Sequence, residues 1–348
     1  MIKYLVTYIS EGKKKNFIEK MINILDIDEI IKIVYNLVHS KYYVKVNGME
    51  ENIRMDKMRC EARAKINLGL DICGRLDNGY HKVKMIMQTV NIYDVLEFKK
   101  RREPDIILSV DSHDTLGDIS NNLIFKAAKL MVEYFSIKEG IEIFLKKNIP
   151  VAAGMAGGST DAAVTMLAMN ELFELGQTKE QLMKLAVRLG ADIPFCIMGG
   201  TALAEGIGEE LTRLPAPPQA HILIAKPPVM VSTKEVYEKF DTKEITIHPD
   251  IDGMISALEE GSLTGITDRL SNVLEDVTIE LHPVIEEIKT FMKAHGAINA
   301  LMSGSGPTVF GIFDDEERAR TAAKDLEATG MAAQIQVTGF YNEEGHGC

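Results

Sequence analysis

Between Pro150 and Ala163 the chain reads Pro-Val-Ala-Ala-Gly-Met-Ala-Gly-Gly-Ser-Thr-Asp-Ala-Ala, a composition suited to cradling an anion. Gly154, Gly157 and Gly158 carry no side chain that would keep a ligand away from backbone amides. A strand-like run, Ile141–Leu145, leads in. A helix with Ala162, Ala163, Leu167 and Leu172 leads out, and its N-terminus would add a partial charge of about +0.5. Ser159 and Thr160 supply hydroxyls able to touch a phosphate or its Mg²⁺. The stretch lacks the Lys-Ser/Thr ending of a P-loop and the spacing of G-x-G-x-x-G. A tight strand-to-helix turn with glycines serving only packing explains the same residues. A second run, Met302-Ser-Gly-Ser-Gly-Pro-Thr308, reads as a turn when taken alone. Two such loops in one chain favour a phosphate-handling site.

Two charged residues are candidates for the chemistry itself. Lys65 lies in Ala64-Lys65-Ile66-Asn67-Leu68. As a strand, this run puts Lys65 and Asn67 on one face, with Ile66 and Leu68 on the other. An inward lysine is costly without an anionic partner; an edge lysine in solvent is the alternative. Asp192 follows Gly190 in Gly-Ala-Asp-Ile-Pro194, where Pro194 restricts Ile193 and places Asp192 on a bend rather than in a helix. Asp77-Asn-Gly-Tyr80-His81 is a turn followed by an aromatic ring and an imidazole. These could stack on and hydrogen-bond to a flat ligand ring, or simply form a hairpin tip.

The elements that must hold these residues alternate between strand and helix. Cys60–Asp71, Met85–Phe98, Ile106–Val110, Ile141–Leu145, His221–Ala225 and Thr308–Phe313 have strand composition. Ser120 is placed to cap a helix with Leu123, Ala127, Leu130, Met131 and Tyr134 on one face. Thr178 and Gln181 form a capping box for a helix stopped by Gly190, and Val284–His295 reads as a helix ending at Gly296. Pro215-Ala-Pro-Pro218 is the best linker. The pattern is that of an α+β protein of two domains.

The net charge of −12, from 39 Lys and Arg against 51 Asp and Glu, argues against duplex nucleic acid as a partner. No run reaches the about 18 apolar residues of a membrane span. The four cysteines, Cys60, Cys73, Cys196 and Cys348, contain no C-x-x-C pair, which favours reduced thiols in a cytoplasm over zinc or a disulfide framework. Residues 1–57 have an unlike composition: ten Lys and Arg against eight Asp and Glu, no alanine and ten isoleucines. The other 291 residues therefore carry −14. Helical spacing over Phe17–Ile31 and strand-like composition over Tyr42–Val46 leave two readings of this segment: translation from an upstream start that adds nothing to the function, or a small accessory element.

Together the motifs resemble the galactose, homoserine, mevalonate and phosphomevalonate kinase superfamily. Ala-Lys-Ile-Asn-Leu, Asn-Gly-Tyr-His, Gly-Ala-Asp-Ile-Pro, Ala204-Glu-Gly-Ile-Gly-Glu209 and Ser-Gly-Ser-Gly-Pro, in that order, narrow the resemblance to the 4-diphosphocytidyl-2-C-methyl-D-erythritol kinase family. It runs from about Met58 to Phe340. It implies a two-domain small-molecule kinase fold, with a ribosomal protein S5 domain 2-like domain over 58–215 and a ferredoxin-like domain over 216–348. It also implies ATP-dependent phosphorylation of the 2-hydroxyl of 4-diphosphocytidyl-2-C-methyl-D-erythritol, in the non-mevalonate route to isoprenoids.

Carried over position by position, the resemblance makes Lys65 and Asp192 the catalytic pair. Pro150, Val151, Ala152, Ala153, Gly154, Met155, Ala156, Gly157, Gly158, Ser159 and Thr160 would bind ATP, with Ser159 and Thr160 nearest Mg²⁺ and Asn122 on the adenosine side. Asn67 would contact the erythritol, with Tyr80, His81, Thr233 and Tyr237 around the cytosine. Two departures stand out: Asp-Asn-Gly where the family more often has Asp-Gly, and Ala152-Ala153-Gly154 where it has three glycines. The rival readings are another kinase of the superfamily, acting on homoserine, mevalonate or a sugar, and a non-catalytic ligand sensor on the same fold.

Overall fold

The computed structural model describes residues 56–77, 79–112, 119–243 and 247–342. The expectations for Phe17–Ile31 and Tyr42–Val46, and Asn78 of the glycine turn, lie outside them. Met55–Cys348 forms one compact unit.

Its spine is a long antiparallel hairpin of β1 (Lys57–Arg75) and β2 (His81–Arg101). Both strands extend past the expected Cys60–Asp71 and Met85–Phe98. The hidden extent has a physical cause: the register shifts at Arg63/Lys65, Asn67/Gly69 and Ile72/Gly74, which breaks strict alternation. Cys60 and Ala62 face one core, Ala64, Ile66 and Leu68 face the second, and Leu70 and Ile72 return to the first. The two flips put Lys65 and Asn67 on the helix-covered face, in place of the apolar residues an unbroken strand would present.

The large sheet also holds β3 (Ile106–Asp111), β4 (Gly140–Lys146), β5 (Thr201–Glu205), β6 (Glu210–Arg213) and the two-residue β8 (Ser271–Asn272). Its order is β3-β4-β2-β1-β8, with β5 pairing β2 and β6 pairing β5. One face is covered by α1 (Leu123–Phe135) and α2 (Gly157–Leu172), with α3 (Lys179–Ala186) and α4 (Ile193–Met198) behind them. The small sheet has order β11-β7-β10-β9, with β7 (His221–Lys226), β9 (Asn299–Met302), β10 (Val309–Phe313) and β11 (Gln334–Gly339) all antiparallel. That order, with α7 (Val284–Ala294) and α8 (Glu316–Thr329) joining the strands, is the expected ferredoxin-like arrangement. Ile222, Ile224, Phe310 and Ile312 from the small sheet pack with Ile66, Leu68, Ile86 and Val90 from the large one, so a second core lies between the sheets. Ile251, Met254 and Leu258 of α6 (Ile251–Glu259) join it.

Four local expectations change. Asn122, not Ser120, caps α1, its Oδ1 accepting from the Ile124 amide at 2.9 Å, while Ser120 sits in a preceding 3₁₀ turn. Ile193 opens α4 instead of being extended, with Pro194 in the first turn, where its missing N–H loses no helix hydrogen bond, while Asp192 stays on the turn just before the helix, as expected. The Thr178–Gln181 capping box is present, but α3 ends at Ala186, ahead of Gly190. Cys73 and Cys196 are free thiols, whereas Cys60 is disulfide-bonded, so the expectation of four reduced cysteines fails.

Candidate active site

A cavity of about 550 Å³ opens where β1, the loop before α2, the start of α4, α5 (Thr233–Phe240) and the Gly304–Ser305 turn converge. Lys65 enters it from β1, its side chain only 6% exposed. Its Nζ donates to Asn67 Oδ1 at 2.7 Å and lies 3.8 Å from Asp192 Oδ2. The buried cation thus has an anionic partner, as its burial requires. Asp192 makes no capping bond with its side chain, which is 35% exposed. Its carboxylate keeps acceptor capacity facing the cavity.

The Pro150–Ala156 loop wraps the other wall. Its backbone enters the left-handed region three times, at Ala152 (φ 49°), Gly154 (φ 72°) and Ala156 (φ 56°). A Cβ on Gly154 would lie 2.2 Å from the Ser303 carbonyl oxygen, so only glycine allows this approach. Ser303 Oγ donates to the Gly154 carbonyl at 3.0 Å, and Asn272 Nδ2 donates to the carbonyls of Met302 and Gly304 at 2.9 and 2.8 Å. The second Gly/Ser run is therefore the brace of the first. Lys65 N–H donates to the Met155 carbonyl at 3.1 Å, tying the loop to β1. At the head of α2, Ala156 offers no side-chain cap, which leaves first-turn amides for an anion.

Of the residues carried over, Lys65, Asn67, Asn122, Asp192, Thr233, Tyr237, Ser159 and the loop from Pro150 to Gly158 except Met155 line the cavity. Met155 instead packs into the second core, and the Thr160 side chain is fully buried. Thr233 Oγ1 pairs with Ser305 Oγ at 2.9 Å. Burial, with the Asp192 charge as a second cause, pushes the Tyr237 phenol up to about 12, so it stays a neutral donor. Tyr80 and His81 stand behind that wall at the hairpin tip. The His81 ring lies 4.8 Å from that of Tyr237, and Tyr80 is 59% exposed.

Residues 122–200 match the family description GHMP kinases N terminal domain, and residues 254–331 match GHMP kinases C terminal. The 4-diphosphocytidyl-2-C-methyl-D-erythritol kinase of Lachnospira eligens is 54% identical over 82% of this chain and 98% of its own length. That of Lachnoclostridium phytofermentans is 50% identical over 83% of this chain and 99% of its own.

The chain belongs to the 4-diphosphocytidyl-2-C-methyl-D-erythritol kinase family.

As a GHMP kinase it is an ATP-dependent phosphotransferase. A crystal structure of 4-(cytidine 5'-diphospho)-2C-methyl-D-erythritol kinase superposes with a TM-score of 0.70 at 30% identity, covering 82% of this chain and 100% of that one. Homoserine kinase from Cytophaga hutchinsonii, at 19% identity, shares the fold with the same score, over 88% of this chain and 100% of its own.

Sequence reasoning missed a second lysine–carboxylate cluster in this kinase. Lys147, at the end of β4, is held by Asp94 of β2 and, at 2.9 Å, by Asp161 Oδ2 of α2. Asp94 Oδ1 also accepts from the amides of Asn148 and Ile149 at 2.6 and 2.8 Å, fixing the chain just before the phosphate loop. Burial raises Asp161 well above the usual carboxylate range despite the lysine. Burial also works against the Lys147 charge, but Asp161 and Asp94 outweigh it and hold its pKa above the ordinary lysine value. Asp94 and Lys147 are 53 positions apart, so no local pattern signals the pair. The one available hint was Asp161 standing directly before the small and apolar run Ala162-Ala163-Val164 of its helix.

Proposed function

We propose that the chain transfers the γ-phosphoryl group of ATP to the 2-hydroxyl of 4-diphosphocytidyl-2-C-methyl-D-erythritol, the step this family performs in the non-mevalonate isoprenoid route. The observation that carries the reading is the Lys65–Asp192 contact at 3.8 Å, at the edge of a cavity whose opposite wall is a glycine loop and an uncapped helix start. Phosphoryl transfer needs positioning and charge stabilisation more than covalent help from the protein. The polyphosphate is received by the loop amides and the start of α2, which supply positive potential in a chain of net −12.

Asp192 accepts the proton of the attacking hydroxyl as the new P–O bond forms. Lys65 holds that carboxylate in place and offsets charge on the group being transferred. Asn67, hydrogen-bonded to Lys65 and facing the same cavity, orients the methylerythritol hydroxyls. Ser159 lines the cavity beside the glycines, and its hydroxyl with phosphate oxygens and water makes the hard-oxygen set that suits Mg²⁺. When bound, the ion neutralises phosphate charge. Thr160, being buried, is the weaker candidate to hold it. Asn122 contacts the adenosine with its amide, its carbonyl being committed to the α1 cap.

Tyr80, His81, Thr233 and Tyr237 form the cytosine end. ATP binds mainly in a domain over 58–215, and a domain over 216–348 completes the acceptor site. Among the described residues no helix is long and apolar enough to cross a membrane; work on small metabolites in the cytoplasm fits this chemistry.

A coupled assay for ADP, with 4-diphosphocytidyl-2-C-methyl-D-erythritol, homoserine and mevalonate as acceptors, tests the proposal. Turnover with the first alone is expected. Turnover with homoserine or mevalonate in its place would assign the chain to another branch of the superfamily.

A further inference from the structure

Met85 of β2, Ala191 just before Asp192, and Ile207 of the turn joining β5 to β6 all line the cavity, and phosphoryl transfer as proposed gives them no task. Met85 reaches the reacting cluster directly. Its Sδ accepts from Asn67 Nδ2 at 3.3 Å, and Asn67 in turn accepts from Lys65 Nζ. Ile207 comes from Ala204-Glu-Gly-Ile-Gly-Glu209, a motif without a role so far. The Val83 amide donates to the Gly206 carbonyl at 2.9 Å and the Ile207 amide to Glu209 Oε2 at 2.7 Å, so the turn is tied to β2 and to itself. A Cβ on Gly208 would lie 3.0 Å from Met85 Cε and 3.7 Å from Ala191 Cβ. The turn therefore rests on both residues, and the three make one apolar patch beside Lys65, Asn67 and Asp192. Ile207 and Ala191 are half-buried and belong to neither core, so core packing does not account for them.

We propose that Ile207, with Met85 and Ala191, seats the methyl branch of the acceptor and makes the enzyme select a tertiary alcohol over its unbranched counterpart. The inference rests on the 2-C-methyl acceptor proposed above. In that molecule the methyl group and the reacting hydroxyl sit on the same carbon. With the hydroxyl turned to Asp192, the methyl must lie in the immediate neighbourhood of the carboxylate. Lys65 and Asn67 are polar and already hydrogen-bonded to each other, so they offer a methyl group nothing. The apolar surface adjoining them is the patch. Leu70 and Val83 also line the cavity, but they stand further along the hairpin, towards the base end at Tyr80. Seating the methyl gains apolar burial and also fixes the rotation of the carbon that bears it. The hydroxyl is then presented to Asp192 in one orientation, a gain that appears in the rate as well as in binding.

The test compares 4-diphosphocytidyl-2-C-methyl-D-erythritol with 4-diphosphocytidyl-D-erythritol, which differs only in lacking the methyl group, as acceptors for the full chain. The native protein should favour the methylated acceptor in kcat/KM by about tenfold or more, the lower end for one carbon in an apolar pocket. In Ile207→Ala that preference should fall to about twofold or less, through loss of the methylated reaction, with the KM for ATP within about twofold of native. Ile207→Val, a milder truncation that keeps the turn apolar, should show a smaller fall in the same direction. Ile207→Leu, of equal volume, should keep most of the preference. A merely structural role would slow both acceptors alike, so equal losses in Ile207→Ala and Ile207→Val overturn the proposal. So does a native chain that does not distinguish the two. Turnover of neither acceptor by the native chain removes the proposed function instead. Calorimetric affinities for the same two molecules then decide the methyl seat separately, and equal native affinities overturn it.

Discussion

Two lysine–aspartate sites flank the same phosphate loop and are built for opposite ends. Lys147 is enclosed by Asp94 and Asp161, each of the three side chains 7% exposed or less. Lys65 faces Asp192 at 3.8 Å, and that carboxylate is 35% exposed with its hydrogen-bonding capacity largely unspent. The first cluster ties β2, the end of β4 and α2 together around the loop entrance. The second presents a carboxylate and a cation to a cavity. Residue type does not separate scaffold from chemistry here, and neither does access to the cavity, which Lys147 and Asp161 also line; spare hydrogen-bonding capacity does.

The contrast is open to direct attack. Lys147→Met leaves two carboxylates buried without their cation and should cost about 3–5 kcal/mol of stability in denaturant unfolding. Lys65→Met should cost far less stability while removing most activity, since the Asp192 left behind is reached by water. Equal stability losses would erase the distinction between the sites. A smaller effect is expected for Gly154→Ala, whose Cβ would meet the Ser303 carbonyl oxygen at 2.2 Å with φ at +72°. The displaced loop should raise the KM for ATP about tenfold, equivalent to about 1.4 kcal/mol, and leave the acceptor KM nearly unchanged.

The smallest effect concerns pH. Because burial raises the Asp161 pKa in the folded protein, its contribution is complete below the unfolded value near 3.8 and is lost as pH rises through the folded value. The stability of the native chain relative to Asp161→Asn, followed by thermal unfolding, should therefore be greatest near pH 4 and shrink towards neutrality. A difference that grew with pH would reverse the assigned cause.

Much of the site could be read locally. The alternation over Ala64–Leu68 placed Lys65 and Asn67 on one face, and the structure keeps them there, 2.7 Å apart. The glycine loop, its flanking strand and its helix stand where composition put them. The register shifts beside Lys65 were not readable, because a bulge is set by the partner strand, and β2 contributes that information from more than twenty residues away. Asn122 and Ser120 both have capping chemistry, and only the packing of α1 chose between them. The bend at Asp192 was readable from Pro194, but the helical Ile193 was not, because the rule for the residue before proline competes with proline's tolerance in a first helical turn. The Asp94–Lys147 and His81–Asp241 contacts join residues 53 and 160 positions apart, beyond any local pattern.

The most direct test is the single-turnover rate of γ-phosphoryl transfer from ATP to 4-diphosphocytidyl-2-C-methyl-D-erythritol in Asp192→Asn. With Asp192 as general base, the rate should fall at least about 100-fold while ATP affinity and stability stay near native. Transfer at the native rate would contradict the role given to Asp192, and with it the claim that the open lysine–aspartate pair, not the buried one, does the chemistry.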